Sequence, residues 1–513
     1  MPSFTLALWL GAAAIAAAGL IQGDGYVHAS VREINLGPHL QRRQHSVPIE
    51  NMDTIRYLMT ASIGTPGQQV SLIVDTGSSE LWVNPDCATS GDQDSCSQGG
   101  TFDRKKSSTL VDTGESKALF YGSGNATVEY VVDTVTIRSA TVKQQILGVA
   151  LESDNINFGL IGFAPATDGQ ADYPYLLDTL VKEGVIKSRT FSLDLRGSDE
   201  PIGALILGGI DTNRFTGSLV KIPIIPVSQT PSGTDRYWAL LTGVGLTGPD
   251  GTTDKSAAFK VPVILDSGTT VTRLPSPLFE AFGEKLGGEY DPQNEWFVVD
   301  CRARNLSATA DFYFDGKTIQ VLLKDFVFQV DATTCIVGVF PDDQEPILGA
   351  NFLRAAYVVF DQDNRNIHMA QAASCGSGPS IQSIGSGSSA VPSVTGQCTS
   401  GAALPTVGTA VTTGLDTTGT RALTKTYTGP AITASLGGGP GPVSTGGSLT
   451  AAPTATASSG GGGPNSLSKF LSDKPSTTAS ASPTSTSKAA GTRAGVGAGM
   501  AVVGMSFVVA CVL

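Results

Sequence analysis

Between residues 51 and 375 the apolar positions fall in short runs rich in Val, Ile and Thr, broken by Gly, Pro, Asn and Asp. Val70–Val74, Val128–Ile137, Gly203–Leu207, Val261–Leu265, Thr318–Leu323 and Ala356–Phe360 are the clearest. β-Branched residues suit a pleated, half-buried surface and the interrupting residues suit turns, so this rhythm predicts strands joined by tight connections. Only Tyr175–Glu183 and Pro277–Leu286 repeat their apolar residues with helical spacing. The predicted body is mainly β. Its 325 residues are ample for a core divided between two lobes, expected at 51–240 and 241–375.

The two ends have different patterns. Leu6–Ile21 is an apolar run of signal-peptide length, with Ala16, Ala17 and Ala18 offering a cleavage site, so residues 1–20 are read as a signal peptide, although no Lys or Arg precedes the run. The polar stretch that follows ends in Arg42-Arg43, which predicts a short pro-segment over 21–43, cut after the basic pair. From 376 to 494 there are 43 Ser or Thr, 21 Gly and 10 Pro among 119 residues, a composition with too little apolar surface to offset ordering entropy. It predicts a disordered, O-glycosylated stalk. Residues 495–513 are apolar and uncharged, with small residues upstream and no basic flank beyond. That is the pattern of a GPI-attachment signal, removed on anchoring. A single membrane span is the competing reading; four glycines and the missing flank weigh against it. The protein is expected to enter the secretory pathway and to act as a monomer on the outer face of the plasma membrane or in the cell wall.

A formal charge of −12 argues against nucleic-acid binding, which requires a basic face. Three of the four histidines precede residue 46, leaving His368 alone in the body. A histidine-based triad or zinc site thus has little to build on, and carboxylates become the expected acid and base. No cofactor and no metal are expected. With Cys511 in the removable tail, six cysteines remain, an even number that suits disulfides in a secreted chain. Cys87 and Cys96 are close enough to form a local loop, Cys301 and Cys335 make a plausible second pair, and Cys375 and Cys398 then pair by default, but six cysteines allow fifteen connectivities. Asn125-Ala-Thr and Asn305-Leu-Ser match the N-glycosylation pattern.

The strongest signal is a repeat. Leu72-Ile-Val-Asp75-Thr-Gly-Ser78-Ser and Val263-Ile-Leu-Asp266-Ser-Gly-Thr269-Thr share three apolar residues, an aspartate, a hydroxyl residue, a glycine and two more hydroxyls. Leu160-Ile-Gly162 ends 87 residues after Asp75, and Ile347-Leu-Gly349 ends 83 residues after Asp266. Two elements in the same order at similar spacing indicate a duplication. A buried strand would hold each aspartate rigidly, and Gly77 and Gly268 would let another chain approach. Thr76, Ser78, Ser267 and Thr269 could hydrogen-bond the carboxylates or the facing loop. If the two loops meet, Asp75 and Asp266 cannot both ionise cheaply and come to share a proton. One carboxylate then activates a water while the protonated one polarises a carbonyl.

These residues resemble the pepsin-like aspartic endopeptidases, and with the anchor signal the chain is similar to their fungal GPI-anchored, yapsin-like branch. A carboxylate pair sharing one proton is what that class is known for. The likeness covers about residues 51–375. It rests on Asp75-Thr-Gly-Ser-Ser-Glu-Leu-Trp82-Val, Tyr121-Gly-Ser-Gly124, Phe158-Gly-Leu-Ile-Gly-Phe163, Asp266-Ser-Gly-Thr-Thr and Pro346-Ile-Leu-Gly349. The resemblance implies a bilobal acid-protease fold, two pseudo-twofold-related β lobes with a substrate cleft between them. It implies Asp75 and Asp266 as the catalytic dyad, Thr76 and Ser267 as the hydroxyls locking the active loops, and Ser78 and Thr269 beside the carboxylates. Tyr121, Gly122 and Ser123 would form the flap and bind substrate, with Trp82 as the tyrosine's partner, and Cys87–Cys96 and Cys301–Cys335 would close small loops. Protein or peptide substrates and acid activity follow. Two departures stand out. The pro-segment is short for the family. Ser123 occupies a position where some relatives that cleave after lysine carry an acid, so only the body's net −16 (24 basic against 40 acidic residues) speaks for cationic peptides. A glycan on Asn125, just past the flap, would crowd the cleft. Two other classes are open at this level: a non-catalytic peptide-binding protein on the same scaffold, and a cell-wall structural protein whose stalk is the working part.

Overall fold

The computed structural model describes residues 25–35 and 55–399, apart from 89, 91–92, 155, 167–172, 198–199, 201, 332–333 and 376–377. The expected signal peptide, the Arg42-Arg43 pair, the stalk beyond 399 and the tail 495–513 lie outside the described residues.

The strand runs read from the sequence become strands. Val261–Leu265 is one as it stands, and the other five lie within Gln68–Asp75, Asn125–Ile137, Ile202–Leu207, Lys317–Leu322 and Ala356–Asp361 to within a residue. The two helical stretches form helices at Leu176–Lys182 and Ser276–Lys285. The chain is mainly β, as the pattern required.

Among the described residues, thirteen strands make one continuous sheet. Its middle holds Thr190–Asp194, Ile202–Leu207, Val27–Asn35, Ile55–Ile63 and Gln68–Asp75 side by side. Towards one edge lie Ala356–Asp361, Asn366–Ala372 and Phe215–Pro223; towards the other lie Gly159–Gly162, Leu81–Val83, Ala140–Asp154, Asn125–Ile137 and Val111–Phe120. Thr190–Asp194 and Ala356–Asp361 are buried along their whole length, so this part of the sheet is covered on both faces. Three smaller sheets build the second lobe, around Val261–Leu265, Thr309–Phe314 and Trp296–Val299.

The sequence duplication reappears as topology. Gln68–Asp75 runs parallel to Gly159–Gly162, which is antiparallel to Leu81–Val83. Val261–Leu265 runs parallel to Ile347–Leu348, which is antiparallel to Thr272–Leu274. In each lobe the aspartate therefore emerges at the end of a strand pinned by the second repeated element.

Structure continues beyond both expected boundaries of the body. Part of the segment read as a pro-segment, Val27–Asn35, is an interior strand, paired antiparallel with Ile202–Leu207 on one side and Ile55–Ile63 on the other. Val27, Ala29 and Val31 are buried while Ser30 and Arg32 are exposed. This period-two alternation marks a half-buried strand, and the polar residues between mask it in a composition count. The strand is also tied by charge. Arg354 donates to Glu33 at 2.8 Å and to the Tyr57 hydroxyl at 2.5 Å, and Tyr57 donates to Glu33 at 3.0 Å.

At the other end, residues 378–399, read as the start of the stalk, are packed on the body as a strap. Ile381–Ser383 pairs with Gly209–Asp211, and Ile384 and Ala390 are buried against Ile210, Phe215, Tyr357 and Val359. Cys375–Cys398 closes the strap, alongside Cys87–Cys96 and Cys301–Cys335. Composition misplaces this boundary because a few well-seated apolar residues and one covalent link suffice to order a Gly- and Ser-rich segment.

Opening that link should be visible in solution. A disulfide closing a loop of 23 residues restricts the unfolded chain by about 3 kcal/mol. Replacing both Cys375 and Cys398 by Ser is expected to lower the unfolding free energy by about that amount, read from the urea midpoint. An unchanged midpoint would show that the strap contributes nothing to the body.

Candidate active site

The two repeated loops meet. Thr76 Oγ1 donates to the Leu265 carbonyl at 2.9 Å, and Ser267 Oγ donates to the Val74 carbonyl at 2.7 Å. The Ser267 amide donates to Thr76 Oγ1 at 2.9 Å, and the Thr76 amide donates to Ser267 Oγ at 3.1 Å. Each hydroxyl thus reaches across and bonds the other loop's backbone twice, and Thr76 and Ser267 are both buried. A backbone group buried without a partner is costly, so this exchange fixes the loops to one another.

The carboxylates are held in matching ways. Asp75 accepts from the Gly77 amide at 2.7 Å and from Ser78 Oγ at 2.5 Å. Asp266 accepts from the Gly268 amide at 2.8 Å and from Thr269 Oγ1 at 2.6 Å. The glycines set how closely the acids approach. A Cβ on Gly77 would lie 2.6 Å from the Asp266 carboxylate, and one on Gly268 would lie 2.5 Å from Asp75 Oδ1. Only hydrogen fits at either place, because real Cβ atoms do not come within 3.0 Å of a neighbour.

The second repeated elements brace the loops from behind. The Phe163 amide donates to the Asp75 carbonyl at 2.8 Å and the Ala164 amide to the Ser78 carbonyl at 2.9 Å. In the other lobe the Ala350 amide donates to the Thr269 carbonyl at 2.7 Å. Side chains at Gly162 or Gly349 would collide with these same loops, at 2.5 Å from the Ser78 carbonyl and 2.2 Å from the Val271 carbonyl.

Asp75 and Asp266 are both buried. Burial, and next the adjacent Asp75 carboxylate, push the Asp266 carboxyl up to about 7, while the bond from Thr269 acts the other way. The pair therefore retains a proton through acid pH. A retained proton gives the arrangement one hydrogen-bond donor and one acceptor facing the same space.

The other expected residues group around this centre. Tyr121 opens a four-residue hairpin between Phe120 and Asn125, closed by its own amide donating to the Gly124 carbonyl at 2.8 Å. Gly122 and Ser123 form its tip, and Gly122 is exposed. The Trp82 indole, fully buried, donates to the Tyr121 hydroxyl at 2.9 Å. Cys87–Cys96 closes a loop just after Leu81–Val83, and Cys301–Cys335 ties the turn Cys301–Asn305 to Cys335–Val337. Asn305 is exposed at the end of that turn.

One nearby charge was missed. Glu80 is buried within the motif itself, accepting from the Tyr173 hydroxyl and from Lys117 Nζ at 3.3 Å. Lys117 stands on the outer strand of the hairpin, three residues before Phe120, so Glu80 links the aspartate loop to the hairpin. The signal was an acid set between Ser79 and the apolar run Leu81-Trp82-Val83. Its partners are 37 and 93 residues away, beyond what spacing reveals.

Comparison with known proteins agrees with this geometry. The family model described as eukaryotic aspartyl protease matches residues 56–372. A probable aspartic-type endopeptidase of Aspergillus oryzae is 31% identical over 368 residues, covering 68% of this chain and 74% of its own. Candidapepsin-2 of Candida parapsilosis is 31% identical over 361 residues, covering 68% and 83%. Yapsin-3, an aspartic proteinase of Saccharomyces cerevisiae, is 31% identical over 344 residues, covering 62% and 66%.

The raised Asp266 carboxyl has a consequence for stability. Its proton affinity is higher in the folded chain than the ordinary carboxylate value of 3.8, so between about 4 and 7 the folded state binds more protons than the unfolded one. Stability should therefore fall as pH rises through that window. The melting temperature of Asp266→Asn is expected to decline less than that of the wild type between pH 4 and pH 7. Parallel declines would refute this account of the pair.

Proposed function

This chain belongs to the eukaryotic aspartyl protease family and is an aspartic-type endopeptidase, and we propose that Asp75 and Asp266 are its catalytic dyad. The observation that carries the assignment is the reciprocal lock of Thr76 and Ser267, which holds two buried carboxylates close together; burial and the neighbouring charge push the Asp266 carboxyl up to about 7, so that carboxyl keeps its proton at acid pH. In that state the ionised carboxylate takes a proton from water as the water oxygen attacks the scissile carbonyl carbon. The protonated carboxyl donates to the carbonyl oxygen, so a neutral tetrahedral diol forms. Collapse of the diol breaks the C–N bond: the amine leaves with the proton of one carboxyl, and a diol hydroxyl gives its proton to the other as the carbonyl re-forms, so the pair again holds one proton. No covalent enzyme intermediate arises.

Tyr121 and the hairpin tip at Gly122 and Ser123 form a flap over the substrate, with Trp82 fixing the tyrosine from below. A flap of this kind excludes water and grips the extended backbone of a peptide. Both dyad positions hold aspartate, which favours catalysis over the reading of a non-catalytic binding protein.

The composition of the two ends supports a second part of the proposal: entry into the secretory pathway, processing after Arg43, and attachment by a GPI anchor to the outer face of the plasma membrane, as a monomer; after that cut Val27–Asn35 is held to the body noncovalently, by its strand pairing and the Arg354–Glu33 contact. Three disulfides fit an oxidising compartment. Because the strap reaches Thr399, the stalk would begin there rather than at 376.

Cleavage of an unfolded protein substrate should be strongest at acid pH, be blocked by pepstatin, and decline as pH rises through about 7, where the pair loses its shared proton. Asp75→Asn and Asp266→Asn should each reduce the rate by at least about a thousandfold with the fold intact by circular dichroism; wild-type rates in either would remove the dyad assignment. For location, a phosphatidylinositol-specific phospholipase should release the enzyme from intact cells. Retention after that treatment, with release only by detergent, would favour a membrane span.

A further inference from the structure

Asn125 is the first residue of the flap's returning strand and lies directly opposite Phe120 in the register. Directly paired residues project from the same face of a sheet, with Cβ atoms roughly 4.5–5.5 Å apart. The facing pairs alternate. Leu119, Ala126 and Ser153, which face one another, are buried, whereas Phe120, Ala118, Glu152 and Asp154, which face Asn125 or Thr127, are exposed. Asn125 and Thr127, the two ends of the Asn-Ala-Thr sequon, belong to the solvent face, and Phe120 beside them is 82% exposed. The glycan expected at this position would therefore stand on the flap's outer surface. It would not crowd the cleft, which lies on the side of Tyr121 and Trp82.

The same face needs covering. Among the described residues Val111–Phe120 is the last strand of the thirteen-stranded sheet, with no strand on its outer edge, and it exposes Val111 as well as Phe120. Open edges with apolar side chains invite pairing with other chains and attack by proteases, since each needs an accessible extended backbone.

We propose that Asn125 carries an N-linked glycan whose first sugar packs on the Phe120 ring and shields the edge of the flap. The aliphatic face of an N-acetylglucosamine and an exposed phenyl ring both gain by leaving water. In the modifying step the Asn125 Nδ2 forms a bond to the anomeric carbon of an oligosaccharide carried on a lipid diphosphate. The anomeric C–O bond breaks, the lipid diphosphate leaves with its electron pair, and Nδ2 gives up one proton. This inference rests on the secretory reading above, because that donor belongs to the secretory pathway.

The test uses the full chain expressed in a fungal host, with intact-protein and peptide mass spectrometry and limited trypsin digestion at Lys117 on the edge strand. The wild type should carry hexosamine on the Asn125 peptide, and Asn125→Gln and Thr127→Ala should both lack it. Nicking at Lys117 should be about fivefold faster in those two variants, and at least twofold faster in Phe120→Ser, which keeps the sequon, while nicking at Lys182 stays constant in all four proteins. kcat/KM on a short peptide should stay within threefold throughout, since the face is turned from the cleft. A chain with its signal segment removed but Asn125 unmodified would overturn this proposal and leave the secretory reading standing. An uncut chain retained inside cells would overturn both. Glycosylated protein in which Phe120→Ser is nicked like the wild type would overturn the role of the ring.

Discussion

Two carboxylates buried side by side are unstable neighbours. Their mutual repulsion and desolvation can be relieved either by moving apart or by holding a proton between them. In this protein movement is blocked by four hydrogen bonds that Thr76 and Ser267 exchange across the pseudo-twofold axis. Proton retention is then the remaining outcome, and it gives the pair an acid and a base at once. The lock in turn depends on strands that cannot slide. Gln68–Asp75 and Val261–Leu265 are each held between neighbours, and each is clasped from below by a glycine-containing element that tolerates no side chain.

The rest of the architecture joins the two lobes that this lock requires. The continuous sheet carries strands from both ends of the described residues, but Val261–Leu265 belongs to a separate five-stranded sheet, so the two aspartates are held in position across sheets by the Thr76–Ser267 exchange. The buried Glu33–Arg354–Tyr57 group adds a charged tie between the amino-terminal strand and the segment after Gly349. Removing one partner from a buried pair leaves an uncompensated charge, a loss of about 3–5 kcal/mol. The amino-terminal strand is thus part of the scaffold in this form of the chain, although composition marks it as a leader. The strap 378–399 plays a similar part on the opposite end, covering Ile210, Phe215 and Tyr357 with residues that look like the beginning of a linker.

The hairpin around Tyr121–Gly124 shows how one local feature serves two sides. Its alternation sends Tyr121 towards Trp82 and Phe120 to solvent. Glu80 anchors it through Lys117 and shares the buried aromatic cluster with Tyr130 and Tyr173. The hairpin is therefore tied to the aspartate loop three residues before Phe120, while Gly122 at its tip is exposed.

The repeat around Asp75 and Asp266 could be read from the chain because its chemistry is local. An apolar strand, an acid, a hydroxyl and a glycine in sequence leave few alternatives, and a second copy removes most of the rest. The strands of Val, Ile and Thr were legible for the same reason, since period-two burial is written in neighbouring residues. The sequence by itself thus determined the β class, the duplication and the pair of acids. Tertiary structure decided what depends on distant partners. It seated Val27–Asn35 inside the sheet, joined Cys375 to Cys398 over a folded strap, buried Glu80 against Tyr173 and turned Asn125 away from the cleft. Each of these rests on contacts between segments far apart in the chain or on which face of a sheet meets water. Composition and spacing record neither, because burial is a property of the packed whole.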